Sequence, residues 1–226
     1  MKILLSTSLF YYCDQSVKYN HLYKNIVDTL SAISNYKIDL AVYYDQTVPK
    51  NIIEDLKKHE NVFLILKNNS QGREGCFWRY EAYDDFDYDV YFFRDIDIGL
   101  ESNDQIVLDN FIKSNKKIFY IFLAHQRKPY PNQGFIMGGM LGVKNNVVKS
   151  FDSLLNKLDK KSFYGADEIF LAEHLYKLSP PLVFSEPRVK NSVLSNDFYK
   201  KINLPPDFEE YIQLSDNYKL NGFLNQ

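Results

Sequence analysis

The sequence contains little cysteine and no long apolar run. Its two cysteines, Cys13 and Cys76, lie far apart and form no Cys-x-x-Cys pair, which favours free thiols in a reducing compartment over a single disulfide. No segment approaches the roughly 20 apolar residues of a transmembrane helix. The apolar run before Ser6 is only three residues long, which is too short for a signal peptide. These absences predict a soluble, intracellular protein without a membrane span.

An excess of one charge is also absent. The 226 residues include 27 basic and 29 acidic side chains, and the net charge of -2 gives no reason to expect nucleic acid or an anionic membrane as a partner. The four histidines show no zinc-binding spacing. Apolar residues, at 45%, are sufficient to bury a substantial core, which favours one domain over two small ones.

Strands and helices alternate over the first third of the chain. Apolar runs predict strands at residues 3–5, 38–44 and 62–66. The first strand is expected to end at the polar run from Ser6 to Ser8. Apolar residues at helical spacing predict a helix over residues 17–33 and another that begins near Pro49. Such alternation with short loops is typical of a parallel, Rossmann-like sheet with helices on both faces.

The rest of the chain keeps both element types but loses the strict alternation. Apolar patterns predict strands over residues 90–93, 118–123, 135–143 and 182–184, with irregular sequence after the last of them. Helical patterns cover residues 73–83, 103–112, 146–158 and 167–178. Gly138 and Gly139 interrupt one strand, which marks a bulge or a close backbone approach. The patterns together predict an α/β fold with a mixed, mostly parallel central sheet flanked by helices.

An acidic pair, Asp95 and Asp97, lies just beyond the strand predicted at residues 90–93. Alternate residues of an extended chain point the same way, so both carboxylates would project to one side at the carboxyl end of the strand. Two carboxylates there suit Mg²⁺ or Mn²⁺, which takes its remaining ligands from water and substrate phosphates. The pair predicts a metal site for a nucleotide diphosphate, and the alternative is a turn with a solvated acidic face.

Six motifs, in order, resemble those of the small GT-A glycosyltransferases found in bacteria and large DNA viruses. They are Lys18-Tyr19, Tyr44 to Pro49, Cys76 to Tyr80, Arg94 to Asp97, Ile136 to Met140 and Tyr164 to Leu171. The resemblance covers about residues 1–180. It implies a GT-A fold in a single domain over residues 1–226, with a nucleotide-binding half at about 1–100 and an acceptor and catalytic half at about 101–226.

The resemblance also implies a substrate class and a cofactor. The donor would be a nucleotide sugar, usually a UDP-sugar, and the acceptor a glycan or another hydroxyl compound. Mn²⁺ or Mg²⁺ would join the donor diphosphate to the Asp-x-Asp motif. The expected location is the cytoplasm, which for a viral protein is that of the host cell.

Donor-binding residues are expected at the strand ends. Asp97, at the strand tip, is expected to contact the metal directly, while Asp95 is expected to bind it through water or to hold the ribose, with Ile96 between them. Ser6 and Thr7 are expected to meet the uracil and ribose, with ordinary loop residues as the alternative. Asp45, next to Tyr44, is expected to accept a hydrogen bond from the uracil N–H, with an Asx turn as the alternative.

Two arginines, two glycines and a histidine complete the expected donor site. Arg73 is expected to clamp a phosphate and Arg79 to hold an aspartate, since the planar guanidinium suits both tasks. A surface salt bridge of little energetic weight is the alternative for either arginine. Gly138 and Gly139 would let the backbone lie against the donor sugar. His125 is expected to contact donor phosphate or acceptor, or else to be structural.

Asp167 and Glu168 begin a predicted helix and are the candidate catalytic residues. An inverting transferase needs a carboxylate that removes the acceptor proton, and we take Asp167 as this base, with Glu168 second. A retaining enzyme would instead need a group on the opposite face of the sugar. Stabilisation of the helix N-terminus explains both acids without catalysis. The resemblance implies a further metal ligand, commonly His, near the end of the last strand, but this chain has no His there. Glu186 or Asp216 would take its place, or water would complete the shell.

Two other functional classes also fit the acidic pair. A metal-dependent phosphatase or phosphotransferase places Asp-x-Asp after a strand with the first Asp as nucleophile, but normally after the first strand of its core. A non-catalytic sugar-binding domain is the other class, for which the 18 tyrosines offer aromatic surface.

Overall fold

A computed structural model describes thirteen segments of the chain, at residues 1–11, 23–28, 30, 33, 35–68, 73–96, 99–100, 102–122, 138–158, 166–175, 178–179, 182–185 and 211–213. The strands within them are β1 (Ile3–Leu9), β2 (Ile38–Tyr44), β3 (Val62–Leu66), β4 (Val90–Arg94), β5 (Ile118–Phe122), β6 (Met140–Lys144), β7 (Leu182–Ser185) and β8 (Tyr211–Gln213). The helices are α1 (Tyr23–Asp28), α2 (Lys50–Leu56), α3 (Trp78–Asp85), α4 (Ser102–Lys113), α5 (Phe151–Leu155) and α6 (Ala166–Phe170). A 3-10 turn, Arg73–Phe77, leads into α3, and a π-helical turn, Leu171–Leu175, follows α6.

The described strands form one sheet in the order β3-β2-β1-β4-β6-β5-β7-β8. Within it β6 is antiparallel to its neighbours β4 and β5, and the other pairs are parallel. Helices cover both faces, because the buried residues of α1, α2 and α4 belong to one core cluster and those of α3, α5 and α6 to the other. The predicted α/β fold with a mixed, mostly parallel sheet is confirmed.

The carboxyl ends of β1 and β4 lie where a ligand site is expected in a sheet of this kind. From β1 the chain continues to β2 and β3 on one side, whereas β4 pairs with β1 on the other. Open α/β sheets bind ligands outside the carboxyl ends of their strands at such a switch point. Every residue of β1 and of β4 is buried, as expected for strands covered by helices on both faces.

Several predicted strands have the expected bounds, and β1 does not. The predictions for β2 and β3 are confirmed, and β4 extends one residue further, to Arg94. The prediction that the first strand stops before Ser6 is wrong, because β1 pairs with β2 as far as Leu9 and its serines and threonine are buried. The polar run is therefore part of a strand rather than a loop.

The second half shows larger differences from the predictions. Gly138 and Gly139 lie in a turn before β6, not inside a strand. The helix predicted at residues 146–158 is reduced to α5, because Asn146 has a positive φ of 67° and Ser150 is extended with its side chain capping the helix. β8 lies where irregular sequence was predicted, and it pairs with β7. None of the described helices has the length and apolar character needed to span a membrane.

Candidate functional site

A buried arginine joins two carboxylates that are distant in the sequence. Arg79, in the first turn of α3, is only 3% exposed. Its Nη1 pairs with Oδ1 of Asp95, directly after β4, and its Nη2 donates to Oδ2 of Asp167 in α6 at 2.7 Å. We call these three residues the Arg79 cluster. The cluster connects the carboxyl end of β4 to a helix of the second half of the chain.

Burial and charge shift the pKa values within the Arg79 cluster. Burial raises the pKa of the Asp167 carboxyl, the Arg79 guanidinium acts to lower it, and the Asp95 carboxylate adds a further increase. Burial alone would lower the pKa of Arg79, but nearby acidic groups, led by Asp95, reverse the effect and raise it. Arg79 is therefore a permanent cation that both carboxylates share.

Two glycines make room for the cluster. A Cβ at Gly139 would collide with the Asp95 carboxylate and lie 2.8 Å from the Asp95 backbone nitrogen. A Cβ at Gly138 would collide with Asp167 and lie 2.7 Å from Nη2 of Arg79. Close packing against the two carboxylates thus explains both glycines without a ligand, and their contact with a donor sugar stays a prediction.

Two serine hydroxyls of β1 hold the backbone of Arg79. The Ser6 hydroxyl donates to the Arg79 carbonyl oxygen at 2.7 Å, and the Arg79 N–H donates to the Ser8 hydroxyl at 3.0 Å. Both hydrogen bonds are buried. Ser6 is therefore bonded to α3, while its predicted contact with the donor is untested.

Asp45 and Thr7 occupy the neighbouring strand ends. Asp45 is fully buried after β2, and its Oδ1 accepts from the N–H of Thr47 at 2.9 Å and from the Thr47 hydroxyl, as in an Asx turn. The Thr47 hydroxyl also accepts from the Tyr11 N–H at 2.9 Å, which links the chain after β1 to the chain after β2. Thr7 is fully buried, and its Oγ1 has no hydrogen-bond partner among the described residues.

The remaining predicted residues are only partly described. Arg73 begins the 3-10 turn before α3 and is half-buried, as are Tyr44, the last residue of β2, and Ile96, which packs against the core. Glu168 lies in α6, but its side chain is outside the described part of the chain. Asp97, His125, Glu186 and Asp216 also lie outside the described residues.

Sequence reasoning gave no role to Ser8, Tyr80 or Cys76. Ser8 lies on the same face of β1 as Ser6. This alternation was not recognised in the sequence because the strand was expected to end before both residues. The Tyr80 hydroxyl donates to the Gly138 carbonyl oxygen at 3.3 Å, beside the Arg79 cluster. Cys76 lies near the same charges, and burial raises the pKa of its thiol to about 12. Their proximity follows from packing, which no local pattern reports.

Of the predicted metal pair, the structure describes Asp95. Its side chain is 39% exposed, with one carboxylate oxygen paired to Arg79 and the other against the space that a Cβ at Gly139 would fill. Within the described ranges, no group of three or more His, Cys, Asp or Glu side chains can hold a metal. A cation at this position would need Asp97 and ligands from water or substrate, as expected for Mg²⁺ or Mn²⁺.

Solved glycosyltransferase structures share this fold, and the GT-A-like fold implied by the motifs is confirmed. TarS 1-349 of S. aureus has a TM-score of 0.57 and 14% identity, over 81% of this chain and 58% of that chain. The same protein has been solved with UDP and with UDP-GlcNAc. This chain thus spans a little over half the length of the TarS fragment. No protein-family model and no curated protein matches the chain.

Two further similar structures belong to other transferases. The galactosyltransferase LgtC, in complex with donor and acceptor sugar analogs, has a TM-score of 0.52 and 11% identity over 93% of this chain and 82% of that chain. The mannosyltransferase PcManGT from Pyrobaculum calidifontis, in complex with GDP-Man and Mn²⁺, has a TM-score of 0.52 and 9% identity over 80% and 54%. At such identities the likeness establishes the fold.

Proposed function

We propose that the protein is a glycosyltransferase that moves a sugar from a nucleotide-sugar donor, with a UDP-sugar as first choice, to a glycan or another hydroxyl acceptor. The observation that carries the proposal is the Arg79 cluster at the switch point of the sheet, with Asp95 at its exposed side. Similar structures that hold UDP, UDP-GlcNAc or GDP-Man support the substrate class.

A divalent cation, Mn²⁺ or Mg²⁺, is part of the proposal, with Asp95 and Asp97 as its protein ligands. Such a cation stabilises the negative charge that develops on the leaving diphosphate. Arg79 holds one oxygen of Asp95 on the buried side, and so restricts the carboxylate to one orientation. The fit of Gly139 against Asp95 restricts it further.

Asp167 is our proposed base for an inverting transfer. In that reaction the acceptor oxygen attacks the anomeric carbon, its proton passes to the base, and the nucleoside diphosphate leaves. Burial raises the pKa of Asp167, which makes its carboxylate a stronger base, while the Arg79 ion pair favours the ionised form that a base requires. Glu168 remains the second candidate.

The other predicted residues keep their proposed roles in donor binding. They are Thr7, Tyr44, Asp45, Arg73, Ile96, His125, Gly138 and Gly139. The buried Thr7 hydroxyl, without a hydrogen-bond partner among the described residues, supports a role for this side chain in ligand binding. Ser6 is left out of the set because its hydroxyl already donates to Arg79.

Thermal unfolding with UDP and MnCl2 tests the proposal. A ligand that binds only the folded state raises its stability by about 2.7 kcal/mol at a hundredfold excess over the dissociation constant. We expect UDP with Mn²⁺ to raise the melting temperature, and EDTA, Asp95→Ala or Asp97→Ala to remove most of the increase. Asp87→Ala is the matched control, because Asp87 is an exposed acid at the other end of β4.

Other results would contradict the proposal. Absence of a melting shift with UDP, UDP-GlcNAc and GDP-mannose in the presence of Mn²⁺ would contradict a UDP-sugar or GDP-sugar donor. Release of inorganic phosphate from phosphate esters, without turnover of nucleotide sugars, would instead indicate a phosphatase. Binding of free glycans that is unchanged in Asp97→Ala, without any donor turnover, would indicate a sugar-binding domain.

A further inference from the structure

We propose that Ser6 and Ser8 of β1 are positioning residues, which fix Arg79 and through it the carboxylates of Asp95 and Asp167. The inference rests on the proposed function, since it concerns the same site. It gives Ser6 a role other than the donor contact expected from its place in the sequence.

The two hydroxyls hold the two ends of a single residue. Ser6 donates to the carbonyl oxygen of Arg79 at 2.7 Å, and Ser8 accepts from its N–H at 3.0 Å. Alternate residues of a strand share one face, so both serines reach α3 while Thr7 points to the opposite face. A backbone held at both its N–H and its carbonyl oxygen cannot slide or rotate against the strand.

The Ser8 hydroxyl also bonds the first turn of α3, whose N-cap residue makes no side-chain hydrogen bond. The first N–H groups of a helix have no intrahelical acceptor and are commonly bonded by the side chain of the N-cap residue. Phe77 occupies that position and makes no side-chain hydrogen bond. The Ser8 hydroxyl provides an acceptor from a neighbouring strand instead, and thereby ties the start of α3 to the sheet.

The pairing of β1 with β4 connects the two serines to the carboxylate of Asp95. Ser6 is paired in register with Phe93 of β4, and Asp95 follows two residues later on the same chain. The serines therefore align Arg79 with β4, the strand that Asp95 directly follows. Nε of Arg79 makes no hydrogen bond among the described residues, so the guanidinium is held by its two carboxylate partners and by its backbone.

The two possible roles of Ser6 predict different kinetic changes. A residue that contacts the donor would, when truncated, raise KM. A positioning residue would lower kcat, because the carboxylates move away from the geometry of the transition state while donor binding is largely kept. A small misplacement caused by a mutation away from the reacting atoms can reduce the rate by about a hundredfold.

The experiment measures UDP released from UDP-GlcNAc in the presence of Mn²⁺, with water as acceptor, or from UDP-glucose if that donor turns over faster. We expect Ser6→Ala and Ser8→Ala each to lower kcat by roughly tenfold to a hundredfold, with KM changed less than about threefold. Ser8→Thr keeps the hydroxyl and should return kcat to within about threefold of wild type.

A control variant separates positioning from a general loss of stability. The Tyr43 hydroxyl donates to Asp85 at 2.6 Å and links β2 to the other end of the same helix. Tyr43→Phe removes this hydrogen bond without touching Arg79. It should lower the melting temperature, as we also expect of the serine variants, and leave kcat and KM unchanged.

A double-mutant cycle tests whether the serines act through Arg79. An ammonium group cannot reach both carboxylates as the guanidinium fork does, so Arg79→Lys should already lose the alignment. Ser8→Ala should then change kcat by less than about twofold in the Arg79→Lys background, because residues that act as a unit are not additive. If Arg79→Lys does not fold, the Ser8→Thr and Tyr43→Phe comparisons decide.

Three outcomes would overturn the inference and leave the proposed function standing. Serine variants that lose stability but keep wild-type kcat would show a structural clamp only. An increase in KM at constant kcat for Ser6→Ala would return Ser6 to the donor site. Equal effects of Ser8→Ala in the wild-type and Arg79→Lys backgrounds would exclude action through Arg79. Failure of the wild-type chain to bind any nucleotide would overturn the proposed function, and the inference with it.

Discussion

Gly139 shows how the absence of one side chain shapes the candidate site. A Cβ at this position would meet the carboxylate and the backbone nitrogen of Asp95, and the backbone cannot yield as a flexible side chain does. We expect Gly139→Ala to displace Asp95 and to remove the stabilisation by UDP and Mn²⁺. Thermal unfolding with and without the ligands checks this expectation.

Gly142→Ala is the matched control for that variant. A Cβ at Gly142 would collide with the ring of Phe119 in the core, away from Asp95. Overpacking of this kind costs about 1–3 kcal/mol, so both variants should be less stable than wild type. The Gly142→Ala variant should still respond to UDP and Mn²⁺, and an equal response of Gly139→Ala would contradict the role given to Gly139.

The raised pKa of the Cys76 thiol leads to a prediction about its reactivity. Burial, with a smaller contribution from Asp167, raises the pKa of its thiol to about 12, so the thiol is protonated at neutral pH. Because the thiolate is the reactive form, Cys76 in a Cys13→Ser variant should react with Ellman's reagent at pH 8 at least about a hundredfold more slowly in the folded than in the urea-unfolded protein.

The same pKa shift contributes to the pH dependence of stability. The folded pKa lies above the unfolded value of about 8.5, so the contribution of Cys76 is complete below about pH 8.5 and is lost as the pH rises towards 12. Cys76→Ser should therefore show a smaller decrease of unfolding free energy over this range. Rapid labelling of Cys76 in the folded protein at pH 8 would contradict the shift.

At the scale of elements, a second buried arginine connects β4 to α4. Nη2 of Arg94 donates to Oδ1 of Asp104 at 2.5 Å, and both side chains are fully buried. Residue 94 ends β4 and residue 104 lies in the first turn of α4, so the pair joins the end of the strand to the start of the helix. It lies on the opposite face of the sheet from the Arg79 cluster.

Removal of one member of this pair should be costly. Arg94→Ala takes the cation away from a buried carboxylate and should lower the unfolding free energy by about 3–5 kcal/mol, measured by urea denaturation. The double variant Arg94→Met with Asp104→Leu should recover most of that loss, because two apolar side chains of similar size avoid the desolvation of both charges.

An exposed ion pair provides the comparison for Arg94. Glu54 lies in α2 and Lys57 directly follows the helix. The two side chains are paired at 2.9 Å but remain in solvent. Lys57→Ala should change the unfolding free energy far less than Arg94→Ala does, because solvent screens the exposed pair. A double Arg94→Met, Asp104→Leu variant as unstable as Arg94→Ala would show that the charges themselves are required.

Element types were more predictable than their ends. Apolar runs of strongly strand-forming residues located β2 and β4, because a strand covered on both faces needs such residues throughout. The same signal located the edge strand β3, although its residues are only partly buried or exposed. The end of β1 was not predictable in this way, since Ser6 and Ser8 are polar. Their burial depends on hydrogen bonds to α3, which is more than 70 residues away in sequence.

At the scale of the whole molecule, the sheet order brings the parts of the site together. The described strands place β4 beside β1, and β6 enters between β4 and β5 with Gly138 and Gly139 at its start. The carboxyl end of β4 therefore meets the turn before β6 and the helix α6 at one end of the central strands. This meeting point agrees with the binding crevice expected at a topological switch point.

The sequence by itself determined the α/β class, the position of Asp95 after a buried strand and the likeness to glycosyltransferase motifs, because these depend on residues close together in the chain. Only the tertiary structure decided that Arg79 pairs with both Asp95 and Asp167, and that Ser6 and Ser8 hold its backbone. Arg79 and Asp167 are 88 residues apart, and their contact follows from the order of strands and the packing of helices. Local periodicity contains no information about which distant side chains such packing will join.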